Sequence, residues 1–230
     1  MEVCCVVQAR MGSSRLPGKA LKLLGEMPLL AWTLRAVKNI PGDIHVLACD
    51  EDSYKDFLPL AKEAGFEIFP GEKEDVLKRF CGVIRKFNPG YVLRATGDNP
   101  FLFYESGSPS IKKIKKKGLD YFTFSSLPHG SGIEVFRAEA LLEAEKLTNL
   151  PYDREHVGPA IYNHPENFNF LMEKAPLKWR KPELRTTVDT LEDYKLVLEK
   201  SRNLPSDFLK KEQFFLRRPP SSSLIVRAFR

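Results

Sequence analysis

The sequence predicts an α/β protein, a single three-layer α/β/α domain built on a mostly parallel sheet. Three observations carry that expectation. Short apolar runs alternate with stretches of helical periodicity over most of the chain, the connections between them are short, and 230 residues suffice for one sizeable core. Strands covered on both faces read as continuous apolar runs, and Val3 to Val7 is such a run.

The elements follow in order. Leu29, Leu30, Leu34, Val37 and Ile40 recur near helical spacing, which places a helix over 28–40 with Pro28 at its start. Ile44 to Ala48 reads as a second strand, Glu51 to Ala64 as a helix closed by Gly65, and Phe66 to Phe69 as a strand. Glu74 to Phe87 carries acidic residues in its first turn and basic ones in its last, as the helix dipole favours. Tyr91 to Ala95 is the next strand. Ile111 to Lys117 sets two isoleucines three apart among five lysines, the pattern of a surface helix with a solvated basic face.

Tyr121 to Phe124 and Ile133 to Phe136 read as strands flanking Leu127 to Gly132, a glycine-rich connector that is either a mobile lip over a site or an ordinary loop. A helix is expected over Asp153 to Tyr162 with Asp153 as N-cap, then a strand at Phe168 to Met172 and a helix from Leu191 to Lys200 capped by Thr190. From Asn203 the pattern weakens, and Arg217 to Ser223 is poor in core-forming residues. The expectation is a domain over 1–202 and an extension over 203–230, a flexible tail or an arm gripping a partner.

Composition narrows the function classes. A net charge of +6 suits nucleic acid or an acidic small molecule. No homeodomain, zinc-finger or RNA-recognition signature accompanies it, and basic and aromatic residues do not interleave, which argues against a nucleic-acid partner. Without an apolar run of about 18 residues or a signal-peptide pattern, membrane insertion is not expected and the cytoplasm is the default location. Cys4, Cys5, Cys49 and Cys81 lack metal-ligand spacing and read as buried, reduced thiols.

The chemistry concentrates in one stretch, Gln8-Ala9-Arg10-Met11-Gly12-Ser13-Ser14-Arg15-Leu16-Pro17-Gly18-Lys19, directly after the first strand. Gly12 and Gly18 free the backbone, Ser13 and Ser14 add hydroxyls, and successive N–H groups can form an anion nest charged by Arg10, Arg15 and Lys19. A turn with solvated basic residues is the plainer alternative. The loop has neither P-loop nor dinucleotide-fold glycine spacing, but it lies where open α/β sheets bind ligands. Thr96-Gly97-Asp98-Asn99-Pro100 falls beyond another strand end, where Asp98 can hold a metal or close an Asx-turn.

The Gln8–Lys19 stretch resembles the N-terminal signature of the cytidylyltransferases that activate sugar acids, most closely the spore-coat polysaccharide biosynthesis protein F branch, related to 3-deoxy-manno-octulosonate and acylneuraminate cytidylyltransferases. Glu74 to Arg79, Arg94 to Pro100, Arg154 to Pro159 and Leu184 to Asp193 agree in order. The resemblance implies a Rossmann-like nucleotide-diphospho-sugar transferase fold of GT-A type, a nucleotidyltransferase domain over 1–202, CTP and a sugar acid as substrates, Mg²⁺ as cofactor and a homodimer. It implies that Arg10, Arg15, Lys19 and Asp98 act in catalysis, and that Asp98 and Asp189 hold the metal. Gln8, Ala9, Arg10, Met11, Gly12, Ser13, Arg15, Lys19, Asp75, Arg79, Thr96, Gly97 and Asp98 would bind the nucleotide. His129, Gly132, Glu134, Glu155 and His156 would bind the acceptor. Gly132-Ile133-Glu134 departs from the branch's Gly-Leu-Asp-x-Glu pattern, and Asn99 and Gly158 stand where other residues are common, so the acceptor stays open. The rivals are a sugar-1-phosphate nucleotidyltransferase using another NTP and a non-catalytic nucleotide-binding homologue.

Overall fold

The computed structural model describes residues 1–229. In chain order it contains β1 (Val3–Gln8), β2 (Leu23–Leu24), β3 (Met27–Pro28), α1 (Leu29–Lys38), β4 (Ile44–Asp50), α2 (Tyr54–Ala64), β5 (Glu67–Gly71), α3 (Val76–Phe87), β6 (Tyr91–Thr96), α4 (Gly107–Lys117), β7 (Tyr121–Ser125), β8 (Glu134–Arg137), α5 (Ala138–Leu147), α6 (Pro151–His156), α7 (Pro159–Tyr162), β9 (Phe170–Lys174), α8 (Leu191–Ser201) and α9 (Ser222–Ala228). Seven strands form one sheet in the order β5-β4-β1-β6-β8-β7-β9, while β2 and β3 make a separate small hairpin. All main-sheet pairs are parallel except those of β8, which runs antiparallel to β6 and β7. Gln8 pairs with Ala48 on one side and Thr96 on the other, so the carboxyl ends of β1, β4 and β6 lie abreast.

The period-2 alternation of β1 divides the core into two layers. Cys5 and Val7 point into the layer covered by α1, α2, α4, α8 and α9, where Leu34, Phe57, Ile114, Val197 and Ile225 are buried. Cys4 and Val6 face the other, where Leu77, Phe80, Leu141 and Ile161 of α3, α5 and α7 pack. The fold is thus the expected three-layer α/β/α. All four cysteines are free and buried, and burial pushes each thiol up to about 12. Among the described residues no helix is long and apolar enough to cross a membrane.

Three expectations need correction. The helix over 153–162 is two helices, α6 and α7, broken at Val157 with φ 65°. Pro159 has no N–H to continue the ladder, and its ring would meet the carbonyl four residues back. Asp153 is no N-cap: it lies buried inside α6 and accepts from Thr148 Oγ1 at 2.7 Å, while Pro151 opens the helix. The third correction is the tail. Phe214, Ile225 and Phe229 are buried, Phe214 packs edge-on against Trp32, and Phe229 does so against Phe101. The Lys211 N–H donates to Glu26 Oε2 at 2.8 Å, and the Ser222 N–H donates to Glu105 Oε2 at 2.9 Å, so the segment lies against the body. Helix α5, built from the strong helix formers Ala138 to Leu147, adds an element beyond those the periodicity predicts.

Candidate active site

A cleft of about 640 Å³ opens at the carboxyl ends of β1 and β6. Its centre is a convergence on Lys19. Gly18 takes a left-handed conformation, φ 66°, and starts a 3-10 turn whose first residue is Lys19. The ammonium donates to Asp98 Oδ2 at 2.7 Å, Val188 O at 2.9 Å and Asp189 Oδ1 at 3.1 Å. The Val188 N–H donates to Asp98 O at 2.9 Å, which ties the loop after β6 to the segment before α8.

Asp189 is placed by the start of α8, where Thr190 and Asp193 form a capping box. Asp193 Oδ2 accepts from the N–H groups of Asp189 (2.9 Å) and Thr190 (3.1 Å). The Asp189 carboxylate also receives Arg15 at 3.2 Å and Arg185 at 3.0 Å. Burial alone raises its pKa, but Lys19, Arg15 and Arg185 outweigh that and hold it below the usual carboxylate range. In Asp193 the Arg185 hydrogen bond comes first among the causes and carries the pKa far lower.

Most of the expected residues meet here: Gln8, Ala9, Arg10, Gly12, Ser13, Arg15, Lys19, Arg79, Thr96, Gly97, Asp98, His129, Gly132, Glu134, Glu155, His156 and Asp189 all line the cleft. Two do not. Met11 packs its side chain against the core and gives its N–H to Ser53 Oγ at 2.8 Å. Asp75 caps α3 by accepting from the Lys78 N–H and pairs with Arg154 at 2.6 Å. Arg79 lines the cleft but is 2% exposed, and its guanidinium donates to the Glu72 and Lys73 carbonyls at 2.9 Å, so it braces the loop before α3. Ser13 is only partly free for an anion, because its N–H donates to Met11 O at 3.0 Å. Arg10 spans the rim between Glu74 (3.2 Å) and Glu155 (3.6 Å).

The glycine-rich connector is pinned. The His129 N–H donates to Leu184 O and its carbonyl accepts from the Thr186 N–H, both at 2.8 Å. Gly130, at φ +94°, packs so closely that a Cβ would lie 2.5 Å from Thr187 N. At the far wall Glu134 pairs with Arg94 and accepts from Tyr121 OH at 2.8 Å, while Arg94 Nε donates to Gln8 Oε1 at 2.7 Å. Arg94 and Tyr121 were not among the expected site residues. The available signal was an arginine inside the otherwise apolar run Tyr91–Thr96, where a charge needs a partner.

Fold and cleft together define an α/β nucleotidyltransferase. More specifically, the chain belongs to the cytidylyltransferase family, whose model matches residues 4–217. It is 35% identical over 203 residues to the spore coat polysaccharide biosynthesis protein SpsF of Bacillus subtilis, covering 85% of each chain. A solved cytidylyltransferase from Leptospira borgpetersenii superposes with a TM-score of 0.85 at 25% identity, over 99% of this chain and 93% of that one. CMP:2-keto-3-deoxy-manno-octonic acid synthetase, solved in complex with CTP, has the same fold, with a TM-score of 0.65 at 18% identity over 86% and 97% of the two chains.

Proposed function

We propose that this cytidylyltransferase joins CMP from CTP to a hydroxyl of a sugar acid of the nonulosonic or octulosonic type, releasing pyrophosphate, in the making of a cell-surface or spore-coat polysaccharide. The observation that carries the reading is the meeting of Lys19, Asp98 and Asp189 at one point, beside Arg10 and Arg15. Nucleotidyl transfer asks chiefly for alignment and charge neutralisation: a bond forms between the acceptor oxygen and the α-phosphorus, and the bond to the departing pyrophosphate breaks. Arg10, Arg15 and Lys19 would grip the triphosphate, with Lys19 offsetting charge on the leaving group.

The donor set fits a hard divalent cation. Asp98 Oδ2, Asp189 Oδ1 and Val188 O are all oxygen and all face the Lys19 ammonium. A pair of carboxylates suits Mg²⁺, which takes one or two and completes its shell with phosphate and water. Asp98 and Asp189 would hold it, and when bound it supplies neutralising charge at the phosphates. Arg94, Glu134 and His129 would line the acceptor end.

The test is incubation with CTP, Mg²⁺ and a panel of nonulosonic and octulosonic acids, with CMP-linked product detected by mass. Product with these acids is expected. Pyrophosphate release only with UTP or GTP and a sugar 1-phosphate overturns the reading. The rim beside Glu155 and His156 exposes Leu147, Leu150 and Tyr152, the last by 60%, and this apolar surface supports a homodimer, which light scattering on the eluting protein measures. Four free buried thiols suit a reducing cytoplasm.

A further inference from the structure

Lys19 stands where a cation is needed and is fully engaged there. An ammonium has three N–H donors, and Asp98 Oδ2, Val188 O and Asp189 Oδ1 take all three. In that arrangement it has no donor left for a phosphate. The two carboxylates face one point from separate segments of chain, Asp98 behind β6 and Asp189 ahead of α8, and without a cation between them they repel. Two requirements of the proposed reaction therefore compete: Lys19 must leave the carboxylates to reach the triphosphate, and the carboxylates must lose Lys19 to hold a metal.

We propose that Lys19 is the placeholder for the divalent cation in the nucleotide-free enzyme, so that metal and triphosphate each make room for the other. This rests on the reading of Asp98 and Asp189 as the metal ligands. The departure needs only side-chain rotations, because the backbone of Lys19 is fixed by its N–H to Leu16 O at 3.2 Å and by the turn that Gly18 starts. Asp189 keeps Arg185 on its other oxygen, Oδ2, at 3.0 Å when Lys19 goes, so its carboxylate stays oriented. Phosphate oxygens that draw Lys19 away unmask the carboxylates, and a divalent ion that repels the ammonium releases it toward phosphate. Linkage makes the two effects equal in size, and a coupling of this kind amounts to about 5- to 150-fold.

The experiment measures Mn²⁺ binding to the full chain without nucleotide, by calorimetry and by the EPR signal of free Mn²⁺, in the parent protein, Lys19→Met, Lys19→Gln, Asp98→Asn and Asp189→Asn. Both Lys19 variants are expected to bind Mn²⁺ at least about tenfold more tightly than the parent. Equal or weaker binding in them, with binding still lost in Asp98→Asn, overturns the placeholder alone. Binding that ignores Asp98→Asn and Asp189→Asn overturns the metal reading and this inference with it. Should Lys19→Met fold poorly, thermal melting of Lys19→Gln gives the second readout: Mn²⁺ should raise its midpoint more than the parent's, and an equal rise counts against the placeholder.

Discussion

Lys19 and Arg35 are both cations withdrawn from water, and their surroundings are opposite. Lys19, its side chain 14% exposed, is saturated by oxygen atoms in the cleft. Arg35 on α1 is 0% exposed, and Nε and both terminal nitrogens have no hydrogen-bond partner among the described residues. Ring faces surround it instead: Phe214 at 3.8 Å, Trp32 at 4.6 Å and Phe208 at 5.8 Å. Burial, with Arg217 adding repulsion, pulls its pKa down to about 9. Oxygen ligands are exchangeable for a metal or a phosphate, so the cleft cation is built to be traded. Aromatic faces have no such substitute, and two of these rings belong to the segment after residue 203, so Arg35 marks where that segment docks.

The sharpest way to break the comparison is to remove each charge. Lys19→Ala should lower turnover on the order of 10²- to 10³-fold, the usual effect of losing one preorganised electrostatic donor, with circular dichroism unchanged. Turnover within threefold of the parent removes Lys19 from the reaction. Asp98→Asn and Asp189→Asn should lower the rate and shift the Mg²⁺ titration of activity to higher concentration; a superimposable titration takes that residue out of the metal site.

Arg35→Met should act in the opposite sense. Replacing a buried, unpaired charge by an apolar chain of similar length removes a desolvation cost and gives up the cation–π contacts. We expect a net gain of about 1–2 kcal/mol in urea melts, with turnover unchanged. A loss of stability would mean that the ring faces compensate the charge in full.

This contrast also explains what could be read from the chain. The cleft was legible because its parts follow strand ends: Gln8–Lys19 empties from β1, and Asp98 follows β6, so periodicity located both. Asp189 needed the family resemblance, since its partner across space is 170 residues away in Lys19. Met11 and Asp75 stand outside the lining because a local motif does not say which way a side chain turns, and here core packing and helix capping claim them. The docking of the C-terminal segment was hidden for another reason. Phe214, Ile225 and Phe229 are few and irregularly spaced, so no period announces them, yet each fills a place in the layer that α1 covers.

The smallest effect expected tests how the cleft is braced from behind. Asp193 touches neither Lys19 nor Asp98, but it accepts from Arg185 Nε at 2.6 Å and from the backbone of Asp189 and Thr190, and so fixes where Asp189 stands. Its pKa is depressed first by Arg185 and then, against burial, by those backbone donors. A depressed carboxylate contributes stability that is complete above the unfolded pKa of about 3.9 and is lost as pH falls through the lower folded value. Asp193→Asn should therefore cost about 1 kcal/mol at pH 7, and the gap to the parent should narrow steadily below pH ~4. Urea melts of both proteins at pH 7, 4 and 3 measure this. A gap that keeps its size at pH 3 would show that the charge of Asp193 is dispensable, and that its shape alone holds Asp189 in line with the cleft.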